Sequence, residues 1–169
     1  MRNNQAKSIA TGGILAALAM VVMCLGGLIP IATYVCPMLC ALVLQFVLRL
    51  CGKRIAWAWY MAVAVLSLLL APDKEAAVIF VFLGYYPLIK PRLDALPLSW
   101  LFKLLFFNLM ILASYGVLIY VLGLAAVLEE FAALGTVMMV VTLLMGNVVL
   151  FLLDLVLARI HRLLHKKSP

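Results

Sequence analysis

The sequence predicts an all-α protein that spans a membrane with six helices in one compact bundle, with both termini in the cytoplasm. Hydrophobic residues make up 69 % of the chain and charged residues 11 %, and the mean hydropathy is +1.26. Soluble domains average about 25 % charged residues, so this composition excludes an ordinary soluble protein. A chain of 169 residues has room for about six spans of ~20 residues with short connections, and for no soluble domain beside them.

Six apolar runs, separated by charged residues or by glycine and proline, define the predicted spans. These runs are 8–29, 31–49, 55–71, 76–90, 101–128 and 131–157, and a basic cytoplasmic tail, 158–169, follows them. The first run follows a basic N-terminus as in a signal peptide, but it is too long for one and no convincing cleavage site follows. We therefore interpret it as a span. Glycines before Pro30 predict the turn into the second span.

The fourth run is unusual because its apolar part, 76–89, has only fourteen residues. At ~1.5 Å per residue it covers ~21 Å of a hydrocarbon core of ~30 Å, which fits a short span or a re-entrant segment. If all six runs cross, twelve of the thirteen Lys and Arg residues lie inside and Lys74 alone lies outside. Cytoplasmic loops retain such cations, so we interpret the run as a span. The central stretch 82–92 then marks its inner end, with Pro87 as a structural hinge and gating as a further hypothesis.

Polar side chains recur within the spans at helical spacing. They are Tyr34 and Gln45 in span two, Asn108 and Tyr115 in span five, and Thr136, Asn147 and Asp154 in span six. Polar groups at membrane depth are costly unless they face the bundle interior, so they are expected to line a cavity or to form interhelical hydrogen bonds. Asp154 either pairs with Arg159, Lys103 or Arg49, or serves as a proton or substrate site.

Small residues form one face of the first span at Ser8, Gly12, Ala16 and Ala19. Such a face lets helix backbones approach closely. It is expected either to pack within the chain or to dock a partner helix, and its position in the cytoplasmic half of the span favours a partner.

No enzyme, cofactor or metal is expected. The two histidines, His161 and His165, lie in the basic tail, and no catalytic or phosphate-binding motif is present in the sequence. Cys36 and Cys40 share a helix face but lack a nearby histidine or acid, so we interpret them as small apolar residues. The net charge of +7 is expected to reflect topology and contact of the tail with anionic lipid, and no nucleic acid is expected as a partner.

The chain resembles the S components of energy-coupling factor transporters, the substrate-binding subunits of bacterial and archaeal vitamin and micronutrient importers. The likeness covers six spans with the N-terminus inside, and small residues four apart in the first span, at Ala6 and Ala10 and through Ser8, Gly12 and Ala16. The segment 28–37 is similar to the loop that helps cover the substrate in that family.

The resemblance implies a plasma-membrane protein that binds a small-molecule nutrient from the outer side. It also implies a transmembrane coupling subunit, docked on the small-residue face, and two cytosolic ATPases. The outer-half candidates for substrate binding are Tyr34, Tyr115, Tyr120, Thr136 and Asn147, with Glu129 or Glu130 at the rim. Gln45, Asn108 and Asp154 complete the polar core.

A second interpretation is a non-transporting membrane scaffold of the cell envelope, similar to the MreD cell-shape proteins. Those proteins are also small and helical and can share the same fold. The two interpretations differ in what the protein binds, a small solute in one case and cell-wall synthesis proteins in the other. A membrane enzyme is disfavoured because the sequence offers no nucleophile and base pair.

Overall fold

A computed structural model of the chain describes residues 2–26, 32–123 and 125–165. The described residues are almost entirely helical and contain no strand. The helices are α1 (Arg2–Gly26), α2 (Ala32–Cys51), α3 (Lys53–Leu70), α4 (Lys74–Leu83), α5 (Tyr86–Asp94), α6 (Ser99–Tyr120) and α7 (Ala125–His165). Six segments of this part are long and apolar enough to cross a membrane, with α4 and α5 together forming one of them. The predicted six-span, all-α fold is confirmed.

Successive spans run in opposite directions. The Cys51 thiol at the end of α2 donates to the Ser8 carbonyl near the start of α1, while Thr33 at the start of α2 bonds Asp73 at the start of α4. We call the end of the bundle that holds Asp73 and Glu75 the acidic end. The opposite end, which holds the end of α2 and the starts of α3 and α6, we call the basic end. Placement of the basic end in the cytoplasm stays a prediction.

Two apolar clusters hold the bundle together. One cluster joins α1, α2, α3, α4 and Leu88 of α5, and the other joins α2, α4, α5, α6 and α7. Helices α2, α4 and α5 contribute to both clusters, so they link the two halves of the bundle. Large apolar side chains on α1, α3, α6 and α7 remain exposed, which is typical of a surface that faces lipid rather than water.

The connection between α2 and α3 is a single residue, Gly52, with φ of +85°. This backbone conformation strains residues with a Cβ, which explains the glycine. Arg49 lies in the last turn of α2 and Lys53 at the start of α3. The two spans therefore pack as a tight antiparallel pair.

The fourth span is longer than its apolar run. Its helical pair covers Lys74–Asp94, 21 residues, or ~31 Å at ~1.5 Å per residue, which is enough to cross the hydrocarbon core. The run looked short because the first and last turns carry charged residues that are nevertheless helical. A break at Gly84 and Tyr85 separates α4 from α5.

The last two spans end and begin elsewhere than the apolar runs 101–128 and 131–157 indicate. Helix α6 ends at Tyr120, and Gly123 has a φ of +55° in the connection that follows. Helix α7 contains a non-helical residue, Gly135, and its apolar span is Val140–Ile160. Glu129 and Glu130 thus lie within the first segment of α7 and not in the turn after α6. The uninterrupted apolar sequence around Gly123 concealed this turn.

Candidate functional site

Two groups of polar side chains lie at opposite ends of the bundle. At the basic end, α5, α6 and α7 converge on one carboxylate. We call this group the basic-end network, and it consists of Tyr86, Lys90, Asp94, Lys103 and Asp154. Asp154 Oδ1 accepts a hydrogen bond of 2.5 Å from the Tyr86 hydroxyl and another from Lys90 Nζ, while Lys103 Nζ lies 3.1 Å from Asp154 Oδ2.

The break between α4 and α5 places Tyr86 and Lys90 in this network. Pro87 has no N–H and its ring conflicts with the carbonyl four residues earlier, so α4 ends at Leu83 and α5 begins afresh at Tyr86. Aromatic rings pack around the break: the Tyr85 ring stacks on Trp57, and Tyr86 lies against Phe107. The break is therefore held by packing on both sides, and its role as a hinge stays a prediction.

The basic-end network is electrically balanced, with two lysines and two aspartates. Asp94 lies 3.6 Å from Lys90 and also pairs with Lys103, so each lysine contacts both carboxylates. A buried charge is costly unless it is paired and hydrogen-bonded, and Asp154 has three donors. Pairing of Asp154 with Lys103 was among the predicted arrangements. Lys90 and Tyr86 were missed because they lie 64 and 68 residues away in sequence.

At the acidic end, the starts of α2 and α4 meet α6. We call this group the acidic-end cluster, and it consists of Thr33, Tyr34, Asp73, Glu75 and Tyr115. The Tyr115 hydroxyl donates to Glu75 Oε1 at 2.7 Å, and the Tyr34 hydroxyl lies 2.5 Å from the Tyr115 oxygen and 3.4 Å from the same carboxylate oxygen. The cluster brings together two of the predicted substrate-binding residues, Tyr34 and Tyr115.

The acids of this cluster also have a local role. Asp73 caps α4 by accepting the Ala76 N–H at 3.0 Å, and its other oxygen accepts the Thr33 hydroxyl at 2.8 Å. Glu75 lies in the first turn of α4, where the helix dipole favours a negative charge. Lys74 turns away and donates to the carbonyls of Leu68 and Leu69. Both acids fall in 72–75, between the predicted runs 55–71 and 76–90, and no pattern in the sequence connected them with the tyrosines.

Small cavities adjoin the acidic-end cluster. Two of them, of about 30 and 20 Å³, both border Tyr34, Ile79, Leu83 and Gly146. Either volume is sufficient for about one water molecule.

A cleft of about 470 Å³ lies between α6 and α7. We call it the α6–α7 cleft, and its lining residues are Ser99, Trp100, Lys103, Leu104, Phe107, Leu144, Asn147, Val148, Phe151, Leu152 and Asp154. Its volume is within the ~300–1,000 Å³ of ordinary ligand sites. Lys103 and Asp154 belong to the basic-end network, so the cleft lies beside that network.

The other predicted polar residues are dispersed. The Asn147 amide donates to Asn108 Oδ1 at 3.0 Å, as expected of an interhelical hydrogen bond, and Asn147 also borders the α6–α7 cleft. Tyr120 is 89 % exposed at the end of α6 and does not join the acidic-end cluster. Gln45 is buried on α2. The side chain of Thr136 lies outside the described part of the chain.

The small-residue face of α1 is packed in part against the chain itself, with Ser8 and Ala16 only partly buried. Gly12 and Ala19 are buried, and an atom added at the Cβ position of Gly12 would lie 3.6 Å from Ile55. The Ser8 and Ala19 carbonyls accept hydrogen bonds from Cys51 and Cys40 of α2. Of the two predicted roles of this face, packing within the chain on α2 and α3 is thus seen at Gly12 and Ala19, while docking of a partner helix stays a prediction.

The segment 28–37, predicted to be a loop that covers the substrate, is helical in its second half. Residues 27–31 lie outside the described part of the chain, and from Ala32 onward the segment is the first turn and a half of α2. Thr33 and Tyr34 are therefore parts of a helix start that faces α4 and α6, and not of a loop.

Fold and site together define a multi-pass helical membrane protein with one polar cluster at each end of its bundle. No protein-family model, curated protein or solved structure matches the chain.

Proposed function

We propose that this chain is the substrate-binding membrane subunit of an importer for a vitamin or related small nutrient, an S component of an energy-coupling factor transporter. The observation that carries the proposal is the acidic-end cluster, in which Tyr34, Tyr115 and Glu75 of three different helices meet. Polar groups gathered at one point of a membrane bundle are the usual mark of a substrate path. On this proposal the acidic end faces outward, in the plasma membrane of a bacterium or archaeon.

The chemistry of the cluster indicates the kind of solute. Carboxylate and phenolic oxygens accept hydrogen bonds, and each phenol also donates one. A solute with amino or hydroxyl groups would replace the direct contact between Tyr34 and Tyr115 and bond Glu75 in its place. Opening the small cavities beside Tyr34 would give it room between Ile79 and Gly146.

Transport in this proposal requires partners, a transmembrane coupling subunit and cytosolic ATPases. Gly12 and Ala19 of the small-residue face of α1 are packed within the chain, so the coupling subunit would need a further surface beside Ser8 and Ala16. The exposed apolar side chains of α3 and α6 provide such surfaces, including Leu69 and Leu105.

The test is substrate binding by purified protein. Small molecules released from the denatured protein are identified by mass spectrometry, and their affinity is measured by calorimetry. Tyr115→Phe should weaken binding by about tenfold or more, since it removes one donor from a desolvated site. Tyr120→Phe is the matched control, because Tyr120 lies apart on the same helix. Equal effects of the two substitutions would reject the site.

A scaffold of the cell envelope is the second candidate. It is favoured by the closed hydrogen bonding of the acidic-end cluster and by the small size of the cavities beside it. Affinity capture from membranes distinguishes the two functions. Co-purified ATPases and coupling protein support import, whereas capture of cell-wall synthesis proteins without any small molecule supports the scaffold.

A further inference from the structure

The α6–α7 cleft has a polar end and an apolar end. Ser99, Lys103 and Asp154 lie at the basic end of the bundle, whereas Leu144 and Val148 of α7 lie toward its middle. Asn147 also borders the cleft, but its amide is already bonded to Asn108 and to the Leu143 carbonyl. The cleft is thus polar where a membrane surface would be and apolar where acyl chains would be.

The side chains around the cleft are exposed to the lipid side. Trp100, Leu144, Val148 and Phe151 are all exposed large residues on its rim. Trp100 lies near the start of α6, and tryptophan prefers the level of lipid headgroups. An occupant would therefore enter sideways from the bilayer and would be an amphiphile rather than a water-borne solute.

The charge at the polar end favours an anion. The basic-end network is balanced, as are Lys103 and Asp154 in the cleft lining, so the excess positive charge at this end comes from Arg92 on α5 and Arg159 on α7, outside that lining. Lys103 uses two of its three N–H donors on those carboxylates within the described part of the chain. Its third donor and the Ser99 hydroxyl can bond a phosphate oxygen.

We propose that the α6–α7 cleft is a binding site for one anionic phospholipid, with its phosphate at Lys103 and Ser99 and an acyl chain between α6 and α7. The lipid would complete the contact between these two helices at the point where the cleft separates them. It would also couple the basic-end network to the surrounding leaflet, because Lys103 is shared by the network and the headgroup. This site is independent of the acidic-end cluster and of the proposed import function.

The first test fills the cleft. Native mass spectrometry of the purified full chain counts retained lipid during titration with phosphatidylglycerol. Val148→Trp places a large ring in the apolar part of the cleft, and Met145→Trp places the same ring on an exposed position of α7 that does not border it. Val148→Trp should weaken retention by about tenfold or more, and Met145→Trp should leave it within about twofold. Equal retention in both variants would show that the lipid binds only nonspecifically and would overturn the proposal.

The second test changes the charge at the headgroup. Ser99→Glu adds a negative charge in the first turn of α6, which the helix dipole tolerates, whereas Ser99→Gln is similar in size and neutral. Ser99→Glu should weaken phosphatidylglycerol retention by about tenfold through repulsion of the phosphate, and Ser99→Gln should change it little. Equal retention of phosphatidylglycerol and phosphatidylcholine of the same chain length by the natural chain would also overturn the proposal. This pair of variants keeps the proposal testable even if Val148→Trp does not fold.

Discussion

The Tyr86 hydroxyl donates a hydrogen bond of 2.5 Å to Asp154 Oδ1, joining α5 to α7 across 68 residues of chain. Tyr86 has no exposed surface, so water cannot replace this bond to its hydroxyl. The bond is the neutral part of a network in which Lys90 and Lys103 supply the charge that balances Asp154. Removal of this hydrogen bond therefore tests whether the basic-end network stabilises the fold.

Tyr86→Phe should lower the free energy of unfolding by about 1–3 kcal/mol, because a carboxylate oxygen loses one of its donors while the ring packing is kept. The measurement is equilibrium unfolding in mixed detergent micelles. Tyr85→Phe is the control, since the Tyr85 hydroxyl lies 3.5 Å from the Met110 sulfur, a weak acceptor. A loss at Tyr85 as large as that at Tyr86 would contradict the assignment.

Lys90 and Asp154 should show strong coupling. Asp154→Ala removes the shared acceptor and leaves two lysines in a site where their side chains are only 13 % and 14 % exposed, so a loss of about 3–5 kcal/mol is expected. The double variant Lys90→Met, Asp154→Leu removes the pair together, and Asp94 remains to balance Lys103. It should be more stable than the sum of the single effects by at least about 1 kcal/mol. Strict additivity in the same unfolding assay would show that the pair does not interact.

The sequence predicted the spans and the polar face of several helices, but not the contacts between helices. Hydropathy and the positions of the cations predicted six helices, and spacing along one helix aligned Asn147 with Asp154 on α7 and Asn108 with Tyr115 on α6. These signals are local, and they identified inward residues such as Gln45 and Tyr115 but failed for Tyr120, which is exposed. They could not identify which inward residues meet, and the contact of Tyr34 with Tyr115, 81 residues apart, required the packed structure.

Charged residues at helix ends were a second reason why the predicted helix bounds differ from those of the structure. Glu75 and Asp73 interrupt the hydropathy and so fall between the predicted runs 55–71 and 76–90, yet they form the first turn and the cap of α4. The same effect made the fourth span appear too short. Conversely, the turn at Gly123 lies between apolar residues on both sides. Only the φ of +55° at Gly123 reveals it. Polarity and secondary structure change at different residues near a membrane surface.

The hydrogen bond between Asn108 and Asn147 should be weak. Interhelical hydrogen bonds in membrane bundles average about 0.6 kcal/mol and reach at most about 1.7 kcal/mol, because each partner finds other acceptors in the unfolded state. Both amides also donate within their own helices, to the Leu104 and Leu143 carbonyls. A double-mutant cycle with Asn108→Leu and Asn147→Leu should therefore give a coupling free energy in this range. A coupling above about 3 kcal/mol would indicate a larger polar network than these two residues form.

Gly84→Ala should destabilise the break between α4 and α5. A Cβ at this position would lie 2.5 Å from the Phe80 carbonyl oxygen and from two atoms of the Phe80 ring, and Phe80 is fully buried. The expected loss is about 1–3 kcal/mol, as for other overpacked sites. Gly116→Ala in α6 is the control, because its Cβ would meet nothing within 4 Å, and it should gain about 0.5–1 kcal/mol from helix propensity. Opposite signs in thermal unfolding confirm the packing, and equal signs contradict it.

The last prediction concerns Gly12 and Gly13, neighbours on α1 with different surroundings. A Cβ at Gly12 would lie 3.6 Å from Ile55, an ordinary contact, whereas one at Gly13 would meet nothing within 4 Å. Gly12→Ala should therefore be tolerated, but the longer side chain of Gly12→Leu would push α1 away from α3 and should cost about 1–3 kcal/mol. Gly13→Leu should leave stability unchanged or raise it, because its side chain would point to lipid. If Gly12→Leu folds as well as Gly13→Leu and instead loses a bound membrane partner, the face is a docking surface after all, and the intramolecular packing of α1 is wrong.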